Sequence, residues 1–485
     1  MVLYNIGMDY PMTEATPSSR SDKAIRDLTE RFHGQVVLPE DEDYDDARMV
    51  WNGMIDKYPT TIAYCSGTAD VLNAMDFARE QDLIVAVRSG GHNVAGSAVC
   101  DDGIVIDLSA MNGVWVEPEQ RTAWVQAGAT LRDVDHEAQA FGLATPLGVV
   151  SDTGVAGLTL GGGLGHLRKK YGLSCDNLAS IAIVTADGQY RTASKHENEE
   201  LFWGLRGGGG QFGVVTGFEF DLHAVGPEVA TGVVFYPGDH AADVLRAFRD
   251  YEESAPDELS TLVVSGGFPE EELFPAAVVD EFKIGVVGMY AGAPEAGETV
   301  IEPLRELSEP LADFSARMPY TEFQRLFDED YPDGMRYYWK SLYLESLSDD
   351  AINRSIEWAE AAPSPLTTVD VWPLGGAVAG VGFDESAFAG REAPYLLAVE
   401  ANWEDPEEDE ANITWARDCL DDMEQYSDGS VYLNFPGFYE DSDEMLETTF
   451  GDAYDRLIAL KHEYDPENRL WVNQNVQPIT EEETQ

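Results

Sequence analysis

Three observations predict an α+β fold. Between Gln35 and about Leu222, apolar runs of strand length alternate with stretches of helical period, and between about Gly226 and Tyr426 the runs lengthen and amphipathic helices separate them. The 485 residues include 44% hydrophobic and 11% aromatic side chains, enough to bury large cores and too many for a disordered chain.

Residues 1–20 are polar, contain Pro and Ser, and read as a loose terminus. Ser21 to Phe32 reads as a short helix. Strands are expected at Val36 to Leu38, Ile84 to Val87, Ile104 to Leu108, Ala123 to Ala127, Ile181 to Thr185 and Val214 to Phe220, with a helix at Ala69 to Glu80. Beyond Gly226, strands are expected at Val229 to Phe235, Leu262 to Ser265, Phe282 to Tyr290, Thr367 to Trp372 and Leu396 to Ala401. Ala241, Val244, Leu245 and Phe248 share one helical face with Asp239 placed to cap it, and Trp415, Cys419 and Met423 repeat at helical spacing. This second part therefore reads as an antiparallel sheet backed by helices.

Charge narrows the function classes. Thirty basic side chains face ninety acidic ones, a net charge of −60, and the acids are spread through runs such as PEDEDYDD, DPEEDEAN and YEDSDEML. Such self-repulsion is tolerated where salt shortens the screening length to about 3 Å, near 1 M, so the expected setting is the cytoplasm of a halophile. A chain without a basic footprint is not expected to bind nucleic acid. Cys65, Cys100, Cys175 and Cys419 lie far apart with no C-x-x-C pair, so they read as small buried hydrophobes, and neither a zinc site nor a redox dithiol is indicated. No apolar run approaches the length of a membrane span. The N-terminal residues carry neither a basic-plus-apolar signal nor a twin arginine, again favouring the cytoplasm.

Three glycine clusters carry the chemistry. Val87-Arg88-Ser89-Gly90-Gly91-His92-Asn93 follows an apolar strand, Gly154 to Gly165 is a second cluster, and Gly207 to Gly213 a third. Glycine lets a backbone approach a ligand closely and present its N–H groups to phosphate. Three clusters suggest a large phosphate-bearing cofactor, and the Rossmann and G-x-x-x-x-G-K-[ST] spacings are absent, which disfavours NAD and ATP.

The ordered motifs VRSGGHNVAG, GVVSDTGVAGLTLGGGLGHLRKKYGLSCDNL, FWGLRGGGGQFGVVTGFEF and YDPENRLWVNQNVQP resemble the berberine bridge enzyme-like FAD-linked oxidases with a PCMH-type FAD-binding domain, over about Val36 to Pro478. The resemblance implies an FAD-binding domain of two α/β subdomains at 21–225, a substrate domain at 226–425, and a segment at 426–485 that returns to the FAD domain. It implies FAD held covalently through a ring nitrogen of His92, a substituent that favours hydride acceptance. The cysteine that makes a second link in many relatives is replaced by Val150, and Cys175 does not match it, so a single link is expected.

Carried over residue by residue, the FAD contacts are Arg88, Ser89, Gly90, Gly91, His92 and Asn93; then Ser151, Thr153, Gly154, Gly157, Leu158, Gly161, Gly162 and Gly163; then Asn177, Val215, Asn434 and Asn475. Tyr432 is the expected base and Tyr338 a substrate contact. Lys340 is a weaker catalytic candidate read first as a structural ion pair; Asp370 and Glu400, on expected strands, could assist the base but are read first as outward, solvated carboxylates; the role of His166 is open. The expected activity is hydride removal from an alcohol, sugar or amine carbon, with dioxygen reoxidising the flavin to give hydrogen peroxide. A dehydrogenase with another acceptor, or a flavin-binding protein without catalysis, is the alternative, and an NADPH-fed reductase is disfavoured by the His92 tether.

Overall fold

Strand Val85–Arg88 sits at the edge of a sheet whose order is Gln35–Val37, Thr61–Tyr64, Ile104–Asp107, Val85–Arg88, the last three strands parallel. Parallel strands are covered on both faces, which is why Ile104–Asp107 is buried at every position. Helix Thr68–Glu80 makes the crossover and buries Val71, Ala74, Met75, Phe77 and Ala78. In this computed structural model the described residues are 22–268, 282–438, 442–472 and 474–479. The terminus expected at 1–20 lies outside them, as does Asn473 within the last motif.

A second, antiparallel sheet has the order Val114–Glu117, Thr122–Gln126, Gly213–Asp221, Leu178–Thr185, Tyr190–Ser194. Its strand Gly213–Asp221 begins where the third glycine cluster ends. A third sheet, eight-stranded among the described residues, is antiparallel throughout and runs from Ala312–Asp313 through Glu228–Pro237, Lys283–Tyr290, Leu259–Gly266, Thr368–Pro373 and Tyr395–Trp403 to Arg336–Leu344, with Ala316–Pro319 also paired to Glu228–Pro237. The mixture of helix-crossed parallel and antiparallel sheets is the α+β class that the sequence predicts.

Helices Ala241–Glu252, Asp349–Glu360 and Asp409–Met423 pack on this third sheet. Trp415, Cys419 and Met423 are buried there, and all four cysteines are free and buried. Two sequence expectations need correction. Asp239 does not cap the helix starting at Ala241, because it lies in a tight turn, Gly238–His240, that puts His240 at the cap position. Strand Arg336–Leu344 was not foreseen, although its Tyr337-Tyr338-Trp339 run has the aromatic richness of a strand.

The chain then returns to the first layers. The Val85 N–H donates to the Arg469 carbonyl at 2.9 Å, and the Val476 N–H to Gln211 Oε1 at 2.9 Å. Lys461, fully buried, holds this return in place: its ammonium donates to Asp465 at 2.7 Å and to the Gln211 carbonyl at 3.1 Å, while Asp465 accepts the N–H groups of Arg469 and Leu470. Lys461→Ala would leave the Asp465 carboxylate buried without its partner. Unfolding free energy is expected to fall by about 3–5 kcal/mol, read from denaturant titration; an unchanged midpoint would mean the pair is dispensable.

Candidate active site

The three glycine clusters and the inner face of the third sheet enclose one cavity of about 1760 Å³, counted with its open mouth. Its floor is made by two glycine turns in contact. A Cβ on Gly90 would drive into the backbone nitrogen of Gly154, and one on Gly154 into that of Gly90, so only glycine permits this approach. Ser89 Oγ donates to the Ala127 carbonyl at 2.6 Å and ties the first turn to the second sheet. At Gly157 the direction a Cβ would take is open, with no atom within 4 Å, and this residue lines the cavity.

His92 stands at the end of the first turn, its ring stacked on Trp51 at 5.1 Å with an interplanar angle of 14°. Trp51 in turn stacks on Tyr337 at 3.7 Å. Burial pushes the His92 imidazole down to about 4, opposed in part by the carboxylates of Asp333 and Asp328. The ring is therefore neutral near pH 7, with a nitrogen lone pair available as a nucleophile.

Of the expected cofactor contacts, the structure brings Ser89, Gly90, Gly91, His92 and Asn93 to the cavity, together with Thr153, Gly154, Gly157, Leu158 and Gly161, and with Val215 and Asn434. Val150 lines it as well. Six others stand away from it. Arg88 is buried in an ion pair with Asp107 and donates to the carbonyls of Met49 and Ala47, so its charge is neutralised inside the first sheet. Ser151 donates through its N–H and its hydroxyl to Asp328, each at 2.7 Å. Gly162 and Gly163 face Phe388 and Ser174. Asn177 donates to the carbonyls of Tyr171 and Leu173 and meets His223. Asn475 is half-buried, while its neighbour Gln474, in the same C-terminal motif, lines the cavity and donates to the Leu433 carbonyl at 2.7 Å.

Tyr338 is a further correction. Strand alternation puts Tyr337 and Trp339 on the face of Arg336–Leu344 that meets Trp51, and turns Tyr338 to the opposite face, where its hydroxyl accepts from Arg417 Nε at 3.1 Å. Lys340 follows the same alternation as Tyr338. His166 is buried against Phe323, with Nε2 lacking a hydrogen-bond partner.

Asp370 and Glu400 overturn their reading as solvated carboxylates. They lie on adjacent strands, where Asp370 pairs with Ala398 and Thr368 with Glu400, so both side chains point to the same, inner face. They are 2% and 3% exposed and both line the cavity. Tyr331 donates its hydroxyl to Glu400 Oε2 at 2.7 Å, while Asp370 Oδ1 has no partner. Burial pushes Glu400 up to about 7, and burial together with the Glu400 charge pushes Asp370 well above the usual carboxylate range.

Tyr432 lines the cavity from the opposite side. Its hydroxyl oxygen accepts from the backbone N–H groups of Gly163 at 3.3 Å and Leu164 at 3.2 Å and from Asn434 Nδ2 at 2.8 Å. Burial nevertheless pushes it up to about 12.

The cavity can be tested for FAD on its own geometry. Close-packed glycine turns at the carboxyl end of a parallel strand present backbone to a pyrophosphate, open space at Gly157 leaves room over the second turn, and a neutral imidazole stands beside a flat aromatic stack. The residues fit. Comparison with known proteins agrees: residues 59–194 match the FAD binding domain family, and residues 431–477 match the family described as berberine and berberine like. The chain is 31% identical over 472 residues to an FAD-linked oxidoreductase of Dictyostelium discoideum, covering 96% of this chain and 99% of that protein. It is 30% identical over 464 residues to the (R)-6-hydroxynicotine oxidase of Paenarthrobacter nicotinovorans, covering 92% and 97%. The crystal structure of 6-hydroxy-D-nicotine oxidase from Arthrobacter nicotinovorans superposes with a TM-score of 0.82 at 28% identity, over 92% of this chain and 98% of that one. With the motifs, the fold and these relatives in agreement along nearly its whole length, the chain belongs to the berberine bridge enzyme-like FAD-linked oxidoreductases.

Proposed function

We propose that this oxidoreductase removes hydride from an alcohol, sugar or amine carbon and passes the electrons to dioxygen, with FAD joined to the protein by a single bond at His92. The observation that carries the reading is a glycine cradle and a buried carboxylate pair facing one cavity. FAD, when bound, supplies the two-electron acceptor, which dioxygen reoxidises with release of hydrogen peroxide.

The chain's own residues have separate tasks. The turns at Ser89 to Asn93 and Thr153 to Gly157 hold the pyrophosphate by backbone N–H groups. His92, kept neutral, offers the nitrogen for the tether, and Val150 offers no sulfur for a second. Glu400, with Asp370 beside it and Tyr331 fixing one oxygen, takes the proton from the substrate's O–H or N–H. A second reading has Tyr432 as that acceptor. It is favoured by the three donors on its oxygen, since hydrogen bonds to an anion lower its cost.

Mass spectrometry of the denatured holoprotein is expected to show polypeptide plus FAD, with the yellow colour retained in the acid precipitate. His92→Ala is expected to give polypeptide mass alone and a flavin that acid releases. Acid-released flavin from the unaltered protein would overturn the tether. Anaerobic bleaching by a panel of alcohols, sugars and amines, followed by peroxide measurement on admitting air, tests the activity. Turnover with a quinone or dye and none with dioxygen would make it a dehydrogenase, and no bleaching by any member would leave a flavin-binding protein. From its acidity we also place the protein in a salt-rich cytoplasm; among the described residues no helix is long and apolar enough to cross a membrane.

A further inference from the structure

Resting on that reading, we propose that the substrate is an amine, bound as its ammonium ion between the Asp370 and Glu400 carboxylates and the indole of Trp339. The inference comes from the balance of donors and acceptors on the sheet side of the cavity. Asp370 Oδ1 is an acceptor with no partner, and Glu400 stands beside it. The donors nearby are largely committed: the Tyr331 hydroxyl donates to Glu400, and Trp339 Nε1 to Asn402 Oδ1 at 2.7 Å, while Trp372 Nε1 has no partner. A hydroxyl group presents acceptor lone pairs as well as a proton, so a polyol needs donors from the wall. An ammonium group is all donor, and fits a wall rich in acceptors.

Charge points the same way. Neither lysine nor arginine is among the described residues lining the cavity. Arg168 lies over the ring of Trp372 at 5.2 Å, but its guanidinium donates to the carbonyls of Pro373, Gly165 and Thr261, so it leaves the carboxylates unpaired. Two acids side by side in a buried wall without a cation are costly until a cation arrives or they share a proton. Trp339 pairs directly with Glu400 across the strands and meets Tyr331 edge-on at 5.3 Å, so an aromatic wall adjoins the carboxylates, as cation recognition requires.

A matched pair of probes separates charge from shape. α,α-Dimethylbenzylamine and α,α-dimethylbenzyl alcohol have the same outline, and neither has a hydrogen on the carbon bearing the heteroatom, so neither can be oxidised there. Calorimetric titration of the oxidised holoprotein is done above 1 M potassium chloride, where screening within about 3 Å removes the pull of the acidic surface. The ammonium is expected to bind at least about 30-fold tighter than the alcohol, with proton release visible as a heat that depends on the buffer's ionisation enthalpy. Asp370→Asn and Glu400→Gln are each expected to reduce that preference and the proton release.

Equal or tighter binding of the alcohol, or an ammonium preference that persists undiminished in both variants, would overturn the proposal. If a variant does not fold, the two probes on the unaltered protein still decide it. Flavin absorbance of the same sample keeps the two claims apart: a yellow protein that prefers the alcohol refutes the amine, while a protein without flavin refutes the oxidoreductase reading beneath it.

Discussion

Replacing Glu400 with glutamine is expected to slow anaerobic reduction of the bound flavin by about 10²–10⁴-fold, the contribution of a well-matched base. The size follows from where the buried groups titrate. Glu400 is pushed up to about 7, so near neutrality it divides its time between holding and lacking a proton, whereas Tyr432, pushed up to about 12, is ionised in roughly one molecule in 10⁵ at pH 7. A base acts in its deprotonated form. Reduction is therefore expected to speed up as pH rises through about 7, and Glu400→Gln to lose that limb. Burial and the Glu400 charge push Asp370 up as well, so the limb belongs to the two acids acting together. Glutamine keeps the side-chain length and an oxygen for the Tyr331 hydroxyl, which limits the structural change. Stopped-flow reduction across pH, with Tyr432→Phe alongside, checks the assignment. If the tyrosine variant loses the limb and the glutamine variant keeps it, Tyr432 is the base and the carboxylates are structural.

The contrast between these residues shows what sequence reading reaches. The glycine clusters were legible because close backbone approach admits one residue type: Gly90 and Gly154 touch in a way that no side chain allows. The central strands were legible for a similar reason, since buried apolar runs have few alternatives. What the sequence does not reveal is which face of a strand looks into a cavity. Tyr337 and Tyr338 are neighbours with equal claims, and alternation gives one to the aromatic stack beside His92 and the other to Arg417 behind the sheet. Asp370 and Glu400 look like outward acids in so acidic a chain, yet their strands are buried on both faces, by helices on one and by the cavity on the other. The signal was present in their neighbours: Val369, Val371, Val399 and Ala401 leave no solvent-facing side on which an acid could sit. Arg88 misleads in the opposite direction, because a cation beside a glycine turn suggests phosphate until Asp107 is seen on the neighbouring strand.

Lowering potassium chloride from above 1 M to 0.1 M is expected to unfold the protein or lower its thermal midpoint steeply, because the screening length grows from about 3 Å to about 10 Å. At the longer length, exposed carboxylates in runs such as 41–46 act on one another across several residues, and the net charge of −60 leaves few cations to offset them. Many of the surface arginines are already engaged. Arg48 bridges Asp45 and Asp56, and Arg317 bridges Glu295 and Glu298. Two of the few lysines are buried in ion pairs, Lys169 with Glu252 at 2.9 Å and Lys461 with Asp465 at 2.7 Å, and such buried pairs are screened far less by salt. Salt should thus act on the surface and leave the internal pairs in place, so the midpoint should follow ionic strength. Magnesium chloride at matched ionic strength is then expected to restore the fold and sucrose, an excluded osmolyte without charge, to restore much less. Equal midpoints at low and high potassium chloride would show that the acidic surface carries no repulsive cost; rescue by sucrose as complete as by salt would assign the effect to strengthened apolar burial in place of screening.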